Sequence, residues 1–143
     1  MVIALATIAV SIFLVYSIYF GKIIKGSPQT FELELLKALA DWMINRGSSS
    51  KNQLWVMLLV TVVFEAGYFL LVFTLINNMV MQFLSGFVAG AEIFHLVVAA
   101  INFHRFFQGK IVLKDIFNWY IERISAVLLF THSLLVLAVI IFF

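Results

Sequence analysis

The chain has 143 residues, of which 64% are hydrophobic and 11% are charged, and its mean hydropathy is +1.13. Soluble domains are about 45–50% apolar and about 25% charged, so this composition excludes an ordinary soluble domain and predicts a single integral membrane domain. The absence of cysteine excludes disulfides, thiolate metal sites and thiol nucleophiles. The sequence pI of about 9.0 arises from basic residues beside apolar segments, which favours a membrane surface over nucleic acid as the partner.

Four apolar segments are long enough to cross a membrane as helices, which takes about 20 residues each. They are residues 2–20, 53–76, 79–103 and 119–143. The first segment has no basic residues before its apolar run and no clear cleavage site, so we interpret it as a retained helix rather than a signal peptide. The sequence therefore predicts an all-α membrane protein with four transmembrane helices in a bundle.

The nine lysine and arginine residues all fall on one side of this topology. They lie in the segment 21–52, in the loop 104–118, or, for Arg123, near the start of the fourth span. The positive-inside rule then predicts that this side is cytoplasmic and that both chain termini are on the non-cytoplasmic side. The expected location is the cell membrane or an organelle inner membrane.

The segment 28–46 predicts one further helix outside the four spans. Ser27 is a candidate N-cap, Pro28 suits the first helical position, and Gly47 is a plausible stop. The apolar face contains Phe31, Leu35, Leu36, Leu39, Trp42 and Met43, and the polar face is expected to contain Glu32, Glu34, Lys37, Asp41 and Asn45. This pattern predicts an amphipathic helix that lies on the cytoplasmic membrane surface, or one that packs on a partner subunit.

Four acidic or histidine side chains lie deep within the apolar spans, namely Glu65, Glu92, His95 and His132. A carboxylate at the bilayer centre costs about 3 kcal/mol or more, so such residues normally face the bundle interior and have partners. Counted from the nearest turns and span ends, Glu65 matches the depth of Glu92, and His95 matches that of His132. We therefore predict that the four side chains form one cluster, with at least one of the two glutamates protonated.

Polar side chains also recur at helical spacing on the last two spans. Together with Glu65 they predict a proton relay from the cytoplasmic edge to the midplane, because chains of acidic and histidine residues mark such paths. The candidates are Glu65, Glu92, His95, Asn102, Glu122, Ser125 and His132. The first span has no acidic, basic or histidine residue and nothing more polar than serine, threonine and tyrosine, so we expect it to be more peripheral.

The same cluster contains suitable ligands for a transition metal ion, which would be held by Glu65, Glu92, His95 and His132. The Glu-x-x-His spacing of Glu92 and His95 also occurs in di-metal helical bundles, but those proteins have two such motifs and this chain has one. The sequence therefore predicts at most a single metal ion. A b-type haem ligated by His95 and His132 is a further alternative.

Gly86 and Gly90 form a Gly-x-x-x-Gly pattern, which permits close helix packing on the face opposite Glu92 and His95. Phosphate-loop, metalloprotease, nucleophile-elbow and EF-hand motifs are missing, so we expect no enzyme activity from the chain by itself. The leading expectation is an accessory or assembly subunit of a larger membrane complex. Its partners would be the lipid bilayer and either other membrane subunits or further copies of the chain; the metal, relay and haem functions are the alternatives.

Overall fold

The structure is a computed structural model that describes residues 1–142, and 89% of the chain is helical, with no strand in the described residues. Five long helices follow one another along the chain: α1 Val2–Ile24, α2 Pro28–Arg46, α3 Ser50–Leu75, α4 Met79–Phe107 and α5 Trp119–Phe142. Helices α1, α3, α4 and α5 supply four stretches that are long and apolar enough to cross a membrane. The prediction of a multi-pass, all-helical chain is confirmed, although residue 143 of the fourth predicted span lies outside the described residues.

The four apolar helices pack as a ring in which α1 contacts α3 and α5, and α4 contacts the same two neighbours. Sequential helices run in opposite directions, so both chain ends meet at one end of the bundle, where Val2, the α3–α4 turn and Ile140 line one cavity. The core between the helices is apolar and includes Leu5, Ala9, Val72, Val88, Leu129 and Val136. The polar groups described below are therefore positioned by a continuous apolar core.

The expectation that the first span is peripheral is wrong. Helix α1 packs along α5 more extensively than any other pair of helices in the described chain. Its Ala9 is fully buried, and Phe13 and Phe20 both stack on Phe130, with ring centroids 4.9 and 4.0 Å apart. The expectation rested on the lack of acidic and histidine residues in α1, but dispersion between close-packed apolar side chains holds the helix in the bundle without them.

Helix α2 covers the end of the bundle where the basic residues lie. Its Leu39 and Trp42 pack with Leu54 of α3, Phe103 of α4 and the loop residue Ile116, which is fully buried. The helix ends as predicted, because Gly47 adopts a φ of 60° that an L side chain rarely tolerates. This second core joins α2 to α3, α4 and the loop before α5.

Candidate functional site

Two spanning helices contribute to a group of side chains joined by hydrogen bonds and by close histidine–carboxylate contacts, which we call the His95 group; it consists of Glu92, His95, Glu122 and Ser125. His95 Nδ1 lies 3.1 Å from Glu92 Oε2, and its Nε2 lies 3.1 Å from Glu122 Oε2. Ser125 Oγ donates to the same Glu92 Oε2 at 2.7 Å. Both nitrogens of one imidazole therefore face carboxylates, one from its own helix and one from α5.

Helical periodicity explains how these side chains meet. Glu92 and His95 lie three residues apart on α4, and Glu122 and Ser125 lie three residues apart on α5, so each pair shares one face of its helix. Glu92 is 2% exposed, His95 is 12% exposed and Glu122 is 22% exposed. The group therefore extends from the buried interior toward the surface at the end of the bundle that α2 covers.

His132 belongs to a separate group, which we call the His132 group, with Tyr68 of α3 and Ser85 of α4. The Tyr68 hydroxyl lies 2.8 Å from His132 Nδ1, and Ser85 Oγ lies 2.8 Å from His132 Nε2. All three residues are almost fully buried. Because a hydroxyl can donate or accept, a neutral imidazole satisfies both hydrogen bonds, and this group needs no charge.

Two carboxylate oxygens in the bundle interior have no hydrogen-bond partner among the described residues, Glu65 Oε2 and Glu92 Oε1. Glu65 is only 5% exposed. Both glutamates line one cavity of about 180 Å³ between α3 and α4, and Glu65 also lines a cavity of about 280 Å³ that includes Tyr16 and Thr61. The space around these oxygens exceeds the roughly 30 Å³ that a water molecule occupies in the liquid.

The structure brings only some of the predicted site residues together. Glu92, His95, Glu122 and Ser125 form one group, and Glu65 shares a cavity with Glu92. His132 instead bonds to Tyr68 and Ser85, and the half-buried Asn102 makes no side-chain hydrogen bond within residues 1–142. The single cluster predicted from depth therefore divides, since equal depth did not specify which face of each helix points at which neighbour.

The metal and haem alternatives gain no support from this geometry. Within the described part of the chain, no group of three or more histidine, cysteine or acidic residues is arranged to hold a metal ion. Haem ligation by His95 and His132 would have to displace Glu92 or Glu122 from one ring and Tyr68 or Ser85 from the other. The two imidazoles thus contact different sets of partners, and neither has a ring nitrogen free to ligate a haem iron.

The prediction placed Glu32 on the polar outer face of α2, and this was wrong. Glu32 is 5% exposed and accepts hydrogen bonds from Arg123 Nε at 2.6 Å, from Arg123 Nη2 at 2.9 Å and from the Tyr19 hydroxyl at 2.7 Å. These contacts tie α2 to α1 and α5. The sequence placed Arg123 near the start of the fourth span, and its pairing with an acid of α2 was not predicted.

Gly86 and Gly90 lie on the outer surface of α4. Both are exposed, and a Cβ atom added at either position would meet nothing within 4 Å. The neighbouring Phe83 and Phe87 are 82% and 63% exposed. The glycine pattern therefore does not mediate packing inside this chain.

Comparison of the chain with protein-family models, with curated protein sequences and with solved structures gave no match.

Proposed function

We propose that this chain is a small membrane protein that passes protons between the end of the bundle covered by α2 and its interior. The observation that carries the proposal is His95, whose two ring nitrogens each lie 3.1 Å from a carboxylate oxygen, one from Glu92 and one from Glu122. Histidine is the side chain best suited to give and take protons near neutral pH. An imidazole with a carboxyl group at each nitrogen can take a proton from one carboxyl group and give a proton to the other.

Hydrogen bonds on both sides of His95 need two protons shared among the ring and the two carboxyls, which leaves the three groups with one net negative charge. A protonated Glu122 can give its proton to Nε2 while Nδ1 gives its proton to Glu92. The proton then sits on Glu92. The starting state returns when Glu92 passes that proton inward, Glu122 takes up another from the surface, and the ring proton moves from Nε2 back to Nδ1 through rotation of the ring. One proton has then crossed, and the net charge of the three groups is the same as at the start.

The two ends of this path differ. Glu122 is 22% exposed and is the member nearest the surface, which makes it the point of proton entry. At the inner end, Glu92 Oε1 and Glu65 Oε2 lack partners and line one cavity of about 180 Å³, which has room for bridging water. Glu65 is therefore the proposed terminal acceptor.

No titratable side chain continues the path toward the chain termini, since α1, α3, α4 and α5 contain no acidic, basic or histidine residue between His132 and that end of the bundle. The relay therefore ends inside the bundle, where it stores a proton or passes it to a partner protein. This favours the second candidate function, an accessory subunit of a larger membrane complex. The exposed Gly86 and Gly90, flanked by exposed phenylalanines, supply a surface on which a partner helix could approach closely.

The orientation that we propose places α2 at the cytoplasmic surface and both termini outside, in a cell membrane or an organelle inner membrane. The nine basic residues on the α2 side of the chain support it through the positive-inside rule. Exposed Leu33 and Ile44 on α2 add apolar area that suits the boundary between headgroups and acyl chains. In this orientation Glu122 takes its proton from the cytoplasm.

The test is infrared spectroscopy of hydrogen–deuterium exchange at the buried carboxyls, with the full chain reconstituted in lipid. After transfer to D₂O the protonated carboxyl band shifts, and its rate reports proton access to Glu65 and Glu92. His95→Gln keeps a polar side chain but cannot relay a proton, so we expect exchange to slow by roughly a hundredfold.

Two matched histidine variants serve as controls for this experiment. Exposed His104→Gln and, where the protein stays folded, His132→Gln should exchange as fast as the original chain. An unchanged rate in His95→Gln contradicts the relay. If that variant instead reduces co-purification with larger membrane subunits while exchange is unchanged, the accessory role stands alone.

A further inference from the structure

A groove of about 440 Å³ lies between α2, α3 and α4, on the same side as the proposed proton entry. Its walls are apolar and include Leu39 and Trp42 of α2, Leu58 of α3 and Phe103 of α4. Two further lining residues, Leu35 and Met57, are 41% and 56% exposed, so the groove opens on the outer surface. Its volume is in the range of about 300–1,000 Å³ that is typical of small-molecule sites.

The polar end of the groove is formed by His95 and Glu122. Among the described residues no lysine or arginine lines it, and the nearby Arg123 is already paired with Glu32. Glu122 also shares its only basic partner, His95, with Glu92. Two carboxylates thus compete for one imidazole, and this excess of negative charge at the end of an apolar groove favours a cation.

We propose that the groove binds a lipophilic amine in its ammonium form, with the apolar body along α2 and α3 and the ammonium group against Glu122. The apolar walls supply the binding free energy of the body. The carboxylate supplies the head-group selectivity, because a charge-assisted hydrogen bond is about twice as strong as a neutral one. A fatty acid is disfavoured by repulsion from the same carboxylate, and an uncharged lipid tail leaves Glu122 and Glu92 with a single imidazole between them. This binding site does not depend on proton transfer through His95.

The test uses the full chain in phosphatidylcholine nanodiscs and three probes with the same tail: ω-bromodecylamine, ω-bromodecanol and ω-bromodecanoic acid. Bromine quenches tryptophan fluorescence at short range, and Trp42 lines the groove. We expect the amine to quench at about tenfold lower concentration than the alcohol, which is the factor that one charge-assisted hydrogen bond supplies. The acid should quench least.

Four variants establish where the amine binds. Trp42→Phe should remove the quenched component, and Glu122→Gln should reduce the amine to the level of the alcohol. Glu34→Gln alters an exposed acid of α2 outside the groove and should leave the tenfold difference intact. Ala38→Phe fills the groove from α2 without touching a carboxylate and should weaken all three probes.

Two results overturn the proposal. Equal quenching by the three head groups identifies the groove as a site for lipid acyl chains only. An amine preference that persists in folded Glu122→Gln and Ala38→Phe proteins, as judged by their circular dichroism, places the amine elsewhere.

Discussion

His95 and His132 both join neighbouring spanning helices, yet their surroundings differ in kind. His132 lies between two hydroxyls, those of Tyr68 and Ser85, and is 1% exposed. His95 lies between two carboxylates and is 12% exposed, at the end of an open groove. The first arrangement is neutral and complete, whereas the second has a surplus of acid.

The comparison teaches that the partners of a buried histidine, rather than its depth, decide what it can do. A ring between hydroxyls has no acceptor that can hold a transferred proton at neutral pH, since both partners give up protons only at much higher pH. A ring between carboxylates has an acceptor on each side. We therefore assign stability to the His132 group and proton transfer to the His95 group, and the predictions below test that division.

The largest expected effect on stability comes from His132→Ala. The change leaves two buried hydroxyls without partners and opens a cavity among α3, α4 and α5, so we expect a loss of about 2–4 kcal/mol in the free energy of unfolding. Denaturant titration in mixed micelles measures it. The matched variant His95→Ala should cost less, because Glu92 retains Ser125 and Glu122 is partly exposed. Equal losses in the two variants would contradict the assignment of stability to the His132 group rather than to the His95 group.

A smaller effect on stability is expected for the ion pair between Arg123 and Glu32, which involves no histidine. Arg123 is 33% exposed, so solvent screens its pairing with buried Glu32, and we expect a coupling of about 1 kcal/mol. A double-mutant cycle of Glu32→Gln and Arg123→Gln, read by the same titration, isolates that value. Tyr19→Phe provides a control that removes one hydrogen bond from Glu32 and leaves the charge pair. A coupling near zero would mean that apolar contacts alone hold α2 on the bundle.

Much of the architecture could be predicted from the sequence because it depends on local patterns. Apolar length indicates the four spans, and the Ser27–Pro28 start and Gly47 stop agree with the bounds of α2. The pairing of Glu92 with His95 also follows from helical spacing within α4. These features need no knowledge of which helices are neighbours.

Contacts between helices could not be derived in the same way. The rotation of each helix about its axis decides that His95 meets Glu122 and that His132 meets Tyr68 and Ser85, and packing of the whole bundle sets that rotation. The predicted cluster joined residues of equal depth, which was necessary for contact but not sufficient. Glu32 shows the same limit, because an acid on a helix is buried only when a partner such as Arg123 faces it.

The smallest effect on stability is expected for substitution of Glu65, a buried acid that belongs to neither histidine group. It is buried, although slightly less so than His132, and its Oε2 has no partner among the described residues. A charged carboxylate in that position would be costly, so we expect Glu65 to carry a proton at neutral pH. Glu65→Gln then replaces one neutral polar group with another of the same shape and should change the free energy of unfolding by less than about 0.5 kcal/mol. The same variant should remove a protonated carboxyl band from the infrared spectrum, while Glu34→Gln on the exposed face of α2 should not. If Glu65→Gln leaves that band unchanged, Glu65 is ionised, and the expectation that it carries a proton at neutral pH is contradicted.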